Sequence, residues 1–291
     1  MEYLVTGHSN VGLVRSNNED SYLIDKSIDL FIVADGMGGY QKGEVASKIA
    51  CQSIQNYLKD KKSDKPFSKA DLKNSLLKAN TNIREVIKKS TELDKMGTTV
   101  ISLLISDQTF LFLNVGDSRA YFVRNKKLSQ ISVDHSLVEE SKKAGITKDI
   151  PKQFKNIVTR AVGMKDDVEV DIYQRFAKKD DIYLLCSDGL HGFVNDKKIE
   201  EIVSGNGDID SKAELLIKAA LNAGGKDNVT CILLQVLTDS EVSENTLMET
   251  ETVEIPRAKI KKPKPSPFFL ILIPILIILI AILVYILYFS H

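Results

Sequence analysis

Apolar positions along this chain fall into two rhythms, short compact runs and longer helical stripes. Residues 2–7 read as an opening strand that stops at a glycine, and residues 21–24 as a second strand. Phe31-Ile32-Val33-Ala34 is an unbroken run of the kind a buried strand shows. It ends at Asp35, and Gly36, Gly38 and Gly39 follow. From residue 43 the spacing of Val45, Ala46, Ile49, Ala50, Ile54, Tyr57 and Leu58 predicts an amphipathic helix. Ser68 and Asp71 make a capping-box pattern ahead of a second helix, whose stripe is Leu72, Leu76, Leu77, Ile83, Val86 and Ile87. Residues 100–105 and 110–115 are apolar runs joined by Ser106-Asp107-Gln108, a hairpin pattern. More strands are predicted at 120–123, 127–133, 168–176, 181–186 and 229–237. Helices are predicted at 197–203 and 211–223, with a shorter one running from Asp134-His135-Ser136 to Ala144. Residues 145–155 are polar and irregular and read as a loop.

The last stretch breaks the pattern. Residues 268–289 carry no charge and are rich in Ile and Leu, close to the ~20 residues a bilayer core requires. Pro274 is tolerated in membrane helices, and Tyr285 and Tyr288 suit an interfacial belt. Arg257, Lys259, Lys261, Lys262 and Lys264 precede the span, so the expected arrangement is a single-pass protein of the cell membrane with residues 1 to about 267 on the cytoplasmic side. The expected organisation is a domain over 1–237, a flexible linker over 238–267 with a basic end, and a transmembrane helix over 268–289.

Composition narrows the function. Lys+Arg and Asp+Glu both number 39 in a chain of 291 residues, so no global charge points to nucleic acid. The cysteines, Cys51, Cys186 and Cys231, lack zinc spacing and read as reduced buried thiols. The first residues lack the apolar core of a signal peptide. Lys42 follows the glycines without a phosphate-loop pattern, and the dinucleotide fingerprint fails at Gln41.

The remaining signal is acidic. Asp35, Asp117, Asp188 and Asp227 each stand in a glycine-containing turn beside a predicted strand, and Glu19 and Asp20 lie near the N-terminus. Carboxylates repel and desolvate poorly, so packing does not gather them. If the turns converge, oxygen ligands without His or Cys select Mg²⁺ or Mn²⁺. Two such ions can activate a water and clamp a phosphoryl oxygen, with Arg15 as a fork-shaped phosphate partner.

Taken in order, Arg15-x-x-x-Glu19-Asp20, Asp35-Gly36-x-Gly38-Gly39, Gly97-Thr98-Thr99, Gly116-Asp117-Ser118-Arg119, Ser187-Asp188-Gly189-Leu190 and Asp227-Asn228-Val229-Thr230 resemble the metal-dependent serine/threonine protein phosphatases of type 2C, in their bacterial form. The resemblance implies an α+β fold, a four-layer α-β-β-α sandwich of two antiparallel sheets flanked by helices. It implies catalytic roles for Arg15 and Asp35, with Arg15 binding the substrate phosphate. It implies metal contacts from Glu19, Asp35, the Gly36 carbonyl, Asp188 and Asp227, and a third, weaker metal site using Asp117 with Asp188. Asp20 and Asn228 would support these ligands from behind. The implied cofactor is Mn²⁺ or Mg²⁺. The implied partners are phosphorylated proteins, serine/threonine kinases and their substrates among them, acted on by a monomeric catalytic domain. Many eukaryotic relatives carry a His, a candidate general acid, where this chain has Met37. The rival reading is an inactive relative that binds phosphoproteins or regulates a kinase.

Overall fold

The run at 31–34 is uninterrupted because its strand is covered on both faces. Strand β3 (Leu30–Met37) sends Leu30, Ile32 and Ala34 to one core and Phe31 and Val33 to another. This is a computed structural model that describes residues 1–38, 42–62, 65–90, 96–145 and 157–238. Residues 146–155 of the expected loop at 145–155, residues 239–267 of the expected linker at 238–267 and the apolar span at 268–289 lie outside the described residues.

One sheet has the order β1 (Tyr3–Asn10), β11 (Val229–Val236), β10 (Ile182–Cys186), β7 (Arg119–Arg124), β8 (Lys127–Gln130). The other runs β2 (Asp20–Asp25), β3, β5 (Val100–Ser106), β6 (Thr109–Val115), β9 (Asp171–Phe176), and β4 (Gly97–Thr98) pairs with β3. Every ladder is antiparallel. The β5–β6 hairpin turns through Asp107 and Gln108, both at positive φ, which suits the twist of a tight hairpin.

The sheets face each other across Phe31, Phe110, Phe112, Tyr183, Leu185 and Ile232, with the rings of Phe110 and Tyr183 centred 4.8 Å apart. Helices α1 (Lys42–Lys61) and α2 (Lys69–Lys89) bury Ala46, Ile54, Leu72, Leu76 and Ile83 against the outside of the second sheet. Helices α4 (Asp188–His191), α5 (Asp196–Ser204) and α6 (Ile209–Asn222) cover the first sheet through Leu190, Ile199, Ala213 and Leu216. The expected α-β-β-α layering is therefore present. Helix α3 (Leu137–Lys143) starts at Ser136, whose hydroxyl accepts from the Glu139 N–H.

Several boundaries differ from expectation. β1 continues past Gly7 to Asn10, because its ladder with β11 runs unbroken from Tyr3 to Asn10. β3 does not stop at Asp35 but continues through Gly36 and Met37, which pair with Thr98 and Gly97 of β4. β8 ends at Gln130 and β9 begins only at Asp171, although Val168 and Val170 still pack on the core. Asp188 stands in the first turn of α4, not in an open glycine turn.

Candidate active site

Both sheets deliver acids to one edge of the sandwich. Asp20 opens β2 and lies opposite Asp35 in the β2–β3 ladder, with Glu19 just before it. Asp117 occupies the β6–β7 turn, Asp188 follows β10, and Asp227 precedes β11. Arg15 lies in the β1–β2 connection.

Uncharged groups hold this edge in place. The Asp35 N–H donates to Thr99 Oγ1 at 3.0 Å, and its carbonyl accepts from Thr98 Oγ1 at 2.9 Å. Thr99 in turn shares a hydrogen bond with Ser118 at 2.7 Å, next to Asp117. Asn228 fastens the N-terminal loop: its Oδ1 accepts from the Glu19 N–H at 2.8 Å, and its Nδ2 donates to the Val11 and Asn17 carbonyls. Ser187 Oγ donates to Asp20 Oδ2 at 2.8 Å and accepts from the Thr230 N–H at 3.0 Å. Two glycines are needed for close approach. A Cβ on Gly36 would lie 2.1 Å from the Gly43 carbonyl oxygen, and one on Gly189 would lie 1.8 Å from the Asn228 carbonyl oxygen.

The acids share one field. Burial first, then the charges of Asp20, Asp188 and Asp117, push the Asp35 carboxyl well above the usual range. Asp188 is raised by burial and by Asp227. Burial pushes Asp20 up to about 7 against its bond from Ser187, with Asp188 and Asp227 adding to the rise. Asp117 is pushed up to about 7 by burial, Asp188 and Asp134. Arg15 stands among them, its guanidinium 2.8 Å from Asp227 and within the fields of Glu19 and Asp35. The expected site residues are thus brought together, with Arg15 turned onto Asp227.

Among the described residues, no group of three or more His, Cys, Asp or Glu side chains forms a ready-made metal cage. The donor set nonetheless suits a hard dication. It consists of buried carboxylates that raise one another's proton affinity, and Asp20 Oδ1 is buried with no hydrogen-bond partner. Mg²⁺ keeps several waters and binds through one or two carboxylates, so a closed cage is not required.

Three supporting residues received no role in the sequence reading. Ser187 was visible only as part of a motif. His135 is buried behind the Asp117 turn, its Nδ1 accepting from the Gly116 N–H at 3.1 Å and its Nε2 3.1 Å from Asp171. His191, held neutral by burial and by Arg119, donates from Nε2 to the Asp117 carbonyl at 3.0 Å. Arg119 makes a forked bond to Asp134 and reaches Tyr121 Oη, which is a structural role. Asn10 accepts from the Gly12 N–H, a local turn contact.

A carboxylate edge that suits hard dications, with the Arg15 fork beside it, is chemistry suited to phosphate-handling hydrolysis. Residues 6–220 match the family model described as Protein phosphatase 2C, and the chain belongs to that family. It is 34% identical over 232 residues to the serine/threonine phosphatase stp of Listeria monocytogenes, a match covering 77% of this chain and 92% of that one. The crystal structure of the serine/threonine phosphatase PstP/Ppp of Mycobacterium tuberculosis superposes with a TM-score of 0.73 at 32% identity, covering 81% of this chain and 99% of that one. The PstP catalytic domain in complex with two manganese ions gives a TM-score of 0.72 at 33% identity, covering 81% of this chain and 98% of that one.

The raised acids make a pH prediction for the metal-free protein. Asp20 and Asp117 take up protons at about 7 when folded, against an ordinary 3.8. Between these values the native state binds more protons than the unfolded chain, so stability falls as pH rises. Asp71 and Asp171 are lowered, and their contribution changes below this window. His191, lowered to about 3 by burial, works in the opposite direction up to its ordinary 6.5, so in EDTA the Tm should drop from pH 6.5 to pH 8, and saturating Mn²⁺ should abolish most of the drop. A flat or rising Tm across that range in EDTA would contradict the field described here.

Proposed function

We propose that this chain removes phosphate from phosphoserine and phosphothreonine in proteins, using a metal-activated water at the carboxylate edge. The observation that carries the proposal is the convergence of Asp35, Asp117 and Asp188 into one buried field with Arg15 beside it. The chain is an enzyme of the protein-serine/threonine phosphatase class, and its cofactor is Mn²⁺ or Mg²⁺. Glu19, Asp35, the Gly36 carbonyl, Asp188 and Asp227 would hold two ions, and Asp117 with Asp188 a third. When bound, such ions supply Lewis-acid polarisation of a phosphoryl oxygen and a water of lowered pKa.

The chain's own groups do the rest. Asp35 feels the acids of both sheets, and its carboxylate would serve two ions at once. Arg15 is half exposed, and its planar fork suits two oxygens of a phosphate monoester. A phosphate dianion would compete with Asp227 for that fork. Met37 has no proton to donate, so protonation of the leaving alkoxide falls to water.

We also propose that the apolar span at 268–289 anchors the enzyme at the cytoplasmic face, where it opposes membrane serine/threonine kinases. The support is the uncharged span and the basic residues that precede it. A linker of this composition would keep the domain near substrates at the inner surface and raise its effective concentration there.

Turnover of a phosphothreonine peptide should require Mn²⁺ or Mg²⁺ and stop in EDTA. Asp35→Ala should abolish it while circular dichroism stays native; near wild-type turnover in Asp35→Ala at saturating Mn²⁺ would sink the two-ion reading. Arg15→Ala should raise KM about tenfold or more with a smaller change in kcat, the pattern of lost ground-state binding. A fall in kcat alone would move Arg15 to the transition state. Removing residues 268–291 should release the protein from membranes with peptide turnover unchanged, and continued membrane pelleting of that variant would refute the anchor.

A further inference from the structure

The turn carrying Asp117 and the helix carrying Asp188 belong to distant parts of the chain, and one side chain joins them. His191 lies three residues after Asp188 on α4, so both project from the same short helix. Its Nε2 is 3.0 Å from the backbone carbonyl oxygen of Asp117. A carbonyl only accepts, so the ring nitrogen facing it carries the proton. Asp117, Asp188 and His191 line one cavity of about 250 Å³, together with Arg119, Glu139 and Gly192.

The preceding residue of the turn is already fixed from behind. Gly116 gives its N–H to His135 Nδ1 at 3.1 Å, and its carbonyl accepts from the His135 N–H at 2.9 Å. Neither bond reaches across to α4. The carboxylates of Asp117 and Asp188 repel each other, and the β7–β10 ladder stops at Arg119 and Cys186, two residues short of each, so repulsion favours relaxation of the turn away from α4. A hydrogen bond from α4 to the Asp117 backbone opposes that relaxation.

We infer that His191 is a positioning residue that ties the Asp117 turn to α4 and so sets the separation of the two carboxylates assigned to the weaker metal site. The inference rests on the metal-dependent reading above. It concerns a backbone contact rather than a ligand, so it makes a specific demand on side-chain reach. Glutamine carries an N–H at the same number of bonds from Cα as Nε2, whereas asparagine is one bond shorter.

Calorimetric titration of Mn²⁺ into the metal-stripped full-length protein, held in detergent, tests this. Wild type, His191→Ala, His191→Asn and His191→Gln would be compared, with thermal unfolding of each as a check on folding. Losing a group that orients a ligand typically weakens metal binding about tenfold or more, and that loss is expected in the weakest Mn²⁺ step of the Ala and Asn variants. The Gln variant should retain the wild-type isotherm. If Ala does not fold, the contrast between Gln and Asn decides. An Asn isotherm that overlays wild type overturns the inference, and so does equal weakening in Gln and Asn. Failure of wild type to bind Mn²⁺ would instead overturn the metal-dependent reading.

Discussion

Asp20, Asp35, Asp117 and Asp188 repel one another at the edge where two sheets meet, and the backbone keeps them there. Left to themselves, buried carboxylates separate, take up protons or draw in water. Here the supports are strands buried on both faces, with Leu30, Ile32, Leu113 and Leu184 nearly inaccessible to solvent. Interiors of this density do not yield by fractions of an ångström without losing packing energy. The site is therefore destabilised locally and held by three apolar cores that do not touch its chemistry.

The supports around the acids are mostly neutral, and this matters electrostatically. Asn228, Ser187, Thr98, Thr99 and Ser118 fix positions through hydrogen bonds without cancelling negative charge. A lysine in any of these places would neutralise the field that makes the edge attractive to a dication. Asp20 marks the balance. One of its oxygens is bonded to Ser187 and the other is buried without a partner. An uncompensated oxygen of this kind is costly in a metal-free protein, and the cost is removed when a cation or its bound water supplies the missing interaction.

Much of this architecture was legible in the residue pattern, and the failures have physical causes. The runs at 31–34, 110–115 and 229–237 announced buried strands because both of their faces are covered. Ser68 with Asp71 announced a helix start because a capping box is a local interaction. Asp35 was placed at a strand end because glycine ordinarily breaks strands. Pairing of Gly36 and Met37 with β4 overrode that preference. His135 and His191 lack ligand spacing, so the residue pattern assigns them no role. Their work is done through backbone partners at Gly116 and Asp117, which no side-chain pattern encodes. The convergence of acids from five separate segments was inferred from a family resemblance. Spacing along the chain does not say which sheet edges meet.

Three arginine–aspartate pairs show how burial divides structure from chemistry. Arg124 holds Asp181 at 2.6 Å, and the aspartate is 1% exposed. Arg119 holds Asp134 at 2.7 Å with side-chain exposures of 22% and 11%, and it also bonds Tyr121. Breaking pairs this buried typically costs about 3–5 kcal/mol, because a charge is stranded. Arg15 and Asp227 are 2.8 Å apart, but their exposures are 49% and 28%. An exposed pair is worth about 0–1 kcal/mol, since water takes over each charge when they part. Of the three, this pair is the most exposed, and it can be exchanged at little loss. A phosphate group offering a doubly charged, bidentate partner would outcompete a single solvated carboxylate for the Arg15 fork. The weak pair therefore belongs where a substrate must enter and leave, and the strong pairs belong where the sheets must stay in register.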